Sequence, residues 1–120
     1  MRHTFAGLLS GSQEWLYHAT SRSYLRSIKR HGLTPEKAEA PDDAGRVIKA
    51  LWVADAPDML ADYGNLWLRF DGSAYETDSA SNGELLVSRV VLPDDLQMYV
   101  GPDAGEYTQL LDDKNWVALA

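Results

Sequence analysis

Residues 14–33 read EWLYHATSRSYLRSIKRHGL, and the way this stretch is divided decides the fold. Trp15 to Thr20 is aromatic and β-branched, which predicts a strand that ends at the Thr20-Ser21 pair. A helix is predicted to follow at once. Ser21 or Ser23 can cap it, Leu25 and Ile28 fall on one face with Tyr24, and Arg26, Lys29 and Arg30 suit the C-terminal dipole. Gly32 supplies a left-handed stop, with Leu33 placed to fold back as the apolar residue of a Schellman ending. The strand therefore ends on His18 beside a small residue and a hydroxyl, a place where a ligand can approach the backbone. A half-buried histidine bonded to a neighbouring carbonyl is the plainer reading of the same residue.

Outward from this unit, residues 34–46 carry two prolines, a glycine and a run of charge and read as a surface loop. VIKALWVAD at 47–55 resumes strand character. Asp55 can cap a second helix with Pro57 in its first turn and Met59, Leu60 and Tyr63 as its apolar face, before Gly64 stops it. NLWLRF is a further strand. The polar tract DGSAYETDSASNG is too long for an ordinary hairpin and is predicted to be mobile or functional. ELLVSRVVL, the longest apolar β-like run, is expected in the centre of a sheet. Two short strands are expected in the last third, and the first dozen residues read as a short strand or a loosely held arm. Strands outnumber helices without regular alternation. The expectation is one α+β domain over residues 1–120, with few helices and a split, mostly antiparallel sheet around a cleft.

Composition narrows the function. A chain of 120 residues, 45% hydrophobic, buries one core and not two. Eighteen acidic against eleven basic residues give a net charge of -7, which repels a phosphate backbone over most of the surface but leaves room for a local basic patch. Without cysteine there is no disulfide framework, thiol nucleophile or cysteine zinc site, and only His3, His18 and His31 could contribute imidazole, so no metal is expected. No signal-like segment or long apolar run suggests export or a membrane, and the expected location is the cytoplasm. No glycine-rich dinucleotide turn, phosphate-binding loop or G-x-S-x-G elbow is present.

The segments WLYHATS…SIKRHGL, LWVADAPDMLADYG and AGEYTQLL together resemble the ADP-ribosyltransferase superfamily, in its diphtheria-toxin and poly(ADP-ribose) polymerase branch. That branch carries His, Tyr and Glu on three strands. The resemblance implies NAD as co-substrate, nicotinamide stacked between Trp52 and Tyr63, and ribose hydroxyls held by His18 and Thr20. It further implies a carboxamide gripped by the Ala19 backbone, and Glu106 as the catalytic carboxylate, in a Glu-Tyr setting expected at a strand start. Glu84, before the ELLVSRVVL run, is the rival carboxylate, and its position suits an edge or cap better. Ala19 stands where the family has glycine, Trp52 where it has tyrosine, and Leu60 where polymerases have a serine. The implied activity is transfer of a single ADP-ribose to a protein, nucleic-acid or small-molecule acceptor, as in small toxins, phage effectors and drug-modifying enzymes. Two alternatives stand beside it. One is an RNA 2'-phosphotransferase-like enzyme using Arg22 or Arg46; the other is an inactive NAD- or protein-binding module of the same fold.

Overall fold

The computed structural model describes residues 14–35, 39–41, 47–57, 64–80, 84–102 and 107–120. Strand β1 is Trp15–Thr20, with the bounds its residue types predict, followed by a 3-10 turn at Arg22–Tyr24 and helix α1 at Leu25–His31. The further strands are β2 (Glu39–Pro41), β3 (Val47–Lys49), β4 (Leu51–Val53), β5 (Leu66–Asp71), β6 (Asp78–Ser79), β7 (Leu85–Val87), β8 (Gln97–Tyr99) and β9 (Trp116–Ala118). Helix α2 is Tyr107–Leu110. One antiparallel sheet runs β1-β5-β8-β9, a second runs β4-β7-β6, and β2 and β3 pair as a hairpin. The architecture is α+β and mostly antiparallel β.

Strand alternation sorts the core into two sides. Leu16, Leu66, Leu68 and Phe70 pack with Ile28, Leu33, Val53 and Val87, filling the space between the first sheet, α1 and the second sheet. Tyr17, Ala19 and Trp67 face the other way, against Tyr99, Leu110 and Trp116. Every residue of β5 is buried because both faces of this strand are covered.

The two sheets meet at one point. Tyr17 N–H donates to the Ala54 carbonyl at 2.8 Å and Ala54 N–H donates to the Tyr17 carbonyl at 3.0 Å, an isolated bridge beyond which β1 and β4 continue without a ladder.

Several expectations are corrected. Ser21, one of the two candidate caps, caps the 3-10 turn by accepting from Ser23 N–H, while α1 itself starts from Tyr24 without a side-chain cap. Tyr24 is 58% exposed rather than on the apolar face, because the tighter 3-10 turn rotates it away from Leu25 and Ile28. Gly32 has the positive φ expected of it (81°), but Leu33 does not fold back: it exchanges both backbone hydrogen bonds with Val91 and continues as extended chain. The helix packs against the Pro93–Asp95 turn. The loop read over 34–46 contains β2, and the strand read over 47–55 is two strands, β3 and β4, with different partners. The 71–83 tract holds a 3-10 turn at Gly72–Ala74 and strand β6. Its Tyr75 is buried edge-on to Phe70, with centroids 5.2 Å apart, and donates its hydroxyl to Asp95. ELLVSRVVL is central as expected but yields only three strand residues, since β7 is as long as its partner β4.

The Gly32 geometry gives a direct test. A Cβ there would run into the Val91 carbonyl oxygen and require a φ that side-chain-bearing residues avoid. Gly32→Ala is expected to lower stability by about 1–3 kcal/mol, read from the urea midpoint. Unchanged stability would show that the Leu33–Val91 bridge tolerates displacement.

Candidate active site

The β1–β4 bridge brings His18 to Trp52. Its Nδ1 lies 2.7 Å from the Trp52 carbonyl oxygen. A carbonyl only accepts, so Nδ1 carries the proton and Nε2 is left as an acceptor for an incoming hydroxyl. Burial disfavours the imidazolium and holds its pKa below the ordinary value of 6.5, outweighing the carbonyl bond, which favours the cation. The plainer sequence reading, a half-buried histidine on a neighbouring carbonyl, thus describes the contact. That contact also selects the tautomer a hydroxyl-binding site needs.

The sign of the pH effect follows. The unfolded chain takes up this proton near pH 6.5, the folded chain only at lower pH. The stability associated with neutral His18 is complete above that value and declines as pH falls toward the lowered one. Wild type is therefore expected to lose thermal stability on acidification below about pH 6.5 more steeply than His18→Gln. Parallel slopes would place the responsible proton elsewhere.

Ala19 contributes its backbone. Tyr17 directs its N–H and C=O off the β1 edge to Ala54, so two residues on Ala19 directs its own N–H and C=O off the same edge. Among the described residues neither has a backbone partner, because β4 meets β1 only at the bridge. The Ala19 methyl points the other way, buried at 4% exposure with Tyr17 and Trp67. Thr20 closes β1, and Gly64 lies against its carbonyl with φ 144°, a conformation and a closeness that exclude a Cβ. Asn65 Oδ1 accepts Arg22 N–H at 2.8 Å, so the chain leaving residue 63 is tied to the end of β1.

Trp52 is half-buried on the second sheet, beside Ala50, Ala80 and Leu86. Leu60, Tyr63 and Glu106 lie outside the described residues, as do Arg46 and the helix expected after Asp55. The segment after Glu106 begins α2 at Tyr107, not the expected strand. Glu84, the rival carboxylate, is among the described residues. It is 5% exposed at the head of β7, and its carbonyl accepts Ala80 N–H at 2.8 Å. The pairs Trp52↔Leu86 and Val53↔Leu85 set Glu84 opposite Ala54, on the face of the second sheet that carries Trp52. Tyr17, Ala54 and Glu84 thus follow one another across three neighbouring strands, a span of about 10 Å. A Glu directly before an apolar run reads as an edge or cap residue, and here it is buried just before β7.

A cavity of about 430 Å³ opens beside the first half of β1, lined by Glu14, Tyr17, Asp55 and Leu85 among others, and it contains none of the sequence-predicted site residues. Among the described residues no cluster of three or more His, Asp or Glu could hold a metal ion, and no helix is long and apolar enough to cross a membrane. No protein-family model matches the chain, and no curated protein matches it.

Proposed function

We propose that the protein is an NAD-dependent mono-ADP-ribosyltransferase. The observation that carries this reading is the β1 edge at His18-Ala19. One residue offers a peptide donor and a peptide acceptor side by side, the complement of a primary carboxamide, and the neighbouring imidazole presents Nε2 as an acceptor for a sugar hydroxyl. Nicotinamide attached to ribose has both groups in this relation. The indole of Trp52, next to the His18 contact, gives the ring a surface to stack on, and Tyr63 is its proposed partner from the other side.

The reaction breaks the bond between nicotinamide and the anomeric carbon. The neutral amide base leaves with the bonding pair, positive charge develops on the ribosyl ring, and an acceptor nucleophile closes the new bond as its proton passes to a base. A carboxylate beside the ribose stabilises that charge and can take the proton. Glu84 suits this role by its place on the Trp52 face, and Glu106 is the alternative carboxylate from the resemblance to the superfamily.

The reading is tested by incubating the protein with NAD and measuring nicotinamide release. Amide recognition gives a sharper readout. A carboxylate in place of the amide would set a negative oxygen against the Ala19 carbonyl, so nicotinamide is expected to inhibit at least ~10-fold more strongly than nicotinic acid. Equal inhibition by the two would remove the carboxamide from the Ala19 edge. Binding of NAD without release would favour the inactive module.

A further inference from the structure

The overall charge of -7 hides a local reversal. Between Ser21 and Thr34 the chain has no Asp or Glu, while Arg22, Arg26, Lys29 and Arg30, four of its eleven Lys and Arg residues, fall within nine positions. All four are exposed, and among the described residues none forms an ion pair. The Pro93–Asp95 turn that packs against the helix carries Asp94 and Asp95, and Asp95 is bonded to the Tyr75 hydroxyl.

Helix stability explains only part of this arrangement. Lys29 and Arg30 stand in the last turn of α1, where the helix dipole favours a cation, but Arg22 and Arg26 stand at the beginning, where it opposes one and where no acid compensates. Spaced by four and three residues, Arg22, Arg26 and Lys29 line one side of this segment over about 10 Å. Together with Ser23 and Leu25 they border a surface cleft of about 620 Å³. Tyr24, between Arg22 and Arg26 in the chain and outside the lining of the cleft, exposes 58% of its surface. The Asn65 bond to Arg22 N–H holds the start of this patch two residues beyond the end of β1, beside the start of β5.

We infer that this face docks a single-stranded nucleic acid. Guanidinium groups pair with phosphate oxygens in a fork, their spacing along the segment follows a backbone rather than a single anion, and an exposed tyrosine offers a stacking surface that a base in a duplex cannot use. The inference deepens the transferase reading by naming the class of acceptor, and it rests on that reading only for the chemistry, since binding requires no NAD.

The experiment is fluorescence anisotropy of a labelled single-stranded oligonucleotide of about 12 nucleotides, titrated with the full chain without NAD. Wild type is expected to bind at low salt, with log K falling against log salt at a slope of about -2 to -3, as three or four phosphate contacts at roughly -0.7 each require. R22A/R26A/K29A, whose changes are all on exposed side chains, is expected to weaken binding at least ~30-fold and flatten the slope. Its circular dichroism should match wild type, and nicotinamide release from NAD alone should persist. Y24A should lose several-fold in affinity without a change of slope. No oligonucleotide binding by wild type, equal binding by the triple variant, equal affinity for a duplex of the same length, or equal affinity for polyglutamate would each overturn the inference. Loss of NAD turnover with oligonucleotide binding intact would instead count against the transferase reading alone.

Discussion

Replacing Glu84 with glutamine is expected to slow nicotinamide release by about 10²–10³-fold, roughly 2.7–4 kcal/mol of transition-state stabilisation. Positive charge on the ribosyl ring exists only as the glycosidic bond breaks, so a carboxylate beside it acts mainly on kcat, and the KM for NAD should change little. Glutamine preserves the size and the hydrogen-bonding reach of the side chain, and Ala80 bonds to the Glu84 backbone, which the substitution leaves in place. The thermal midpoint should therefore hold within a few degrees of wild type, roughly the scale of a 1 kcal/mol change. Glu106→Gln is the matched control. It should leave turnover nearly unchanged, because the chain directly after it turns into α2 and not into a strand beside β4. The reverse result, a silent Glu84→Gln and an inactive Glu106→Gln, would return the carboxylate role to Glu106. Full activity in both would remove the carboxylate from the mechanism.

Glu106 and Glu84 differ in what the sequence can say about their surroundings. A short motif such as Glu-Tyr is legible without neighbours. The value of Glu84 depends on which strand lies beside β7, and that pairing joins residues more than thirty positions apart. The placement of His18 and Ala19 was legible because it follows from one strand and its alternation, and β1 has the predicted bounds for the same reason. The helix was legible in position, and its end was not. Nothing local predicts that Leu33 bonds to Val91, a contact that replaces the local Schellman closure with a long-range one. ELLVSRVVL looked like a long strand because its residues suit one throughout. It stops at Val87, opposite Leu51 where β4 begins, and Arg89 turns its guanidinium over the Tyr75 ring, 4.7 Å from the centroid. Hydrophobicity thus predicted the strand, while its length depended on the partners available.

Arg69 is the least expected residue of the fold, and Arg69→Ala is expected to have the largest effect on stability, about 3–5 kcal/mol. In the sequence it is the one charged residue of NLWLRF, which suggests a solvent-facing position. In the structure it is 2% exposed, with its guanidinium 3.9 Å from the centroid of Trp15 and 4.6 Å from that of Trp116. Its Nε donates to Gln97 Oε1 at 2.8 Å and a terminal nitrogen donates to Asp113 Oδ1 at 2.9 Å. Burial raises the pKa of the Tyr17 phenol, against the lowering influence of the Arg69 charge. The ion pair is the smaller part of this arrangement, because the Asp113 side chain is 80% exposed and water screens it. Asp113→Ala should accordingly cost no more than about 1 kcal/mol. Arg69→Ala removes the filling beside two indoles and leaves Gln97 without its partner, so cavity and desolvation costs add. Arg69→Lys should recover little, since an ammonium neither stacks flat between rings nor bonds in two directions at once. The consequence reaches the candidate site through Tyr17, whose backbone makes the only bridge between β1 and β4 among the described residues. A loosened Tyr17 would let the His18–Trp52 contact lengthen, so Arg69→Lys should also weaken nicotinamide inhibition at temperatures where the protein is still folded. Urea midpoints ordered Asp113→Ala, then Arg69→Lys, then Arg69→Ala from most to least stable are expected; an Arg69→Ala variant as stable as Asp113→Ala would mean that the two indoles hold the sheet without the cation between them.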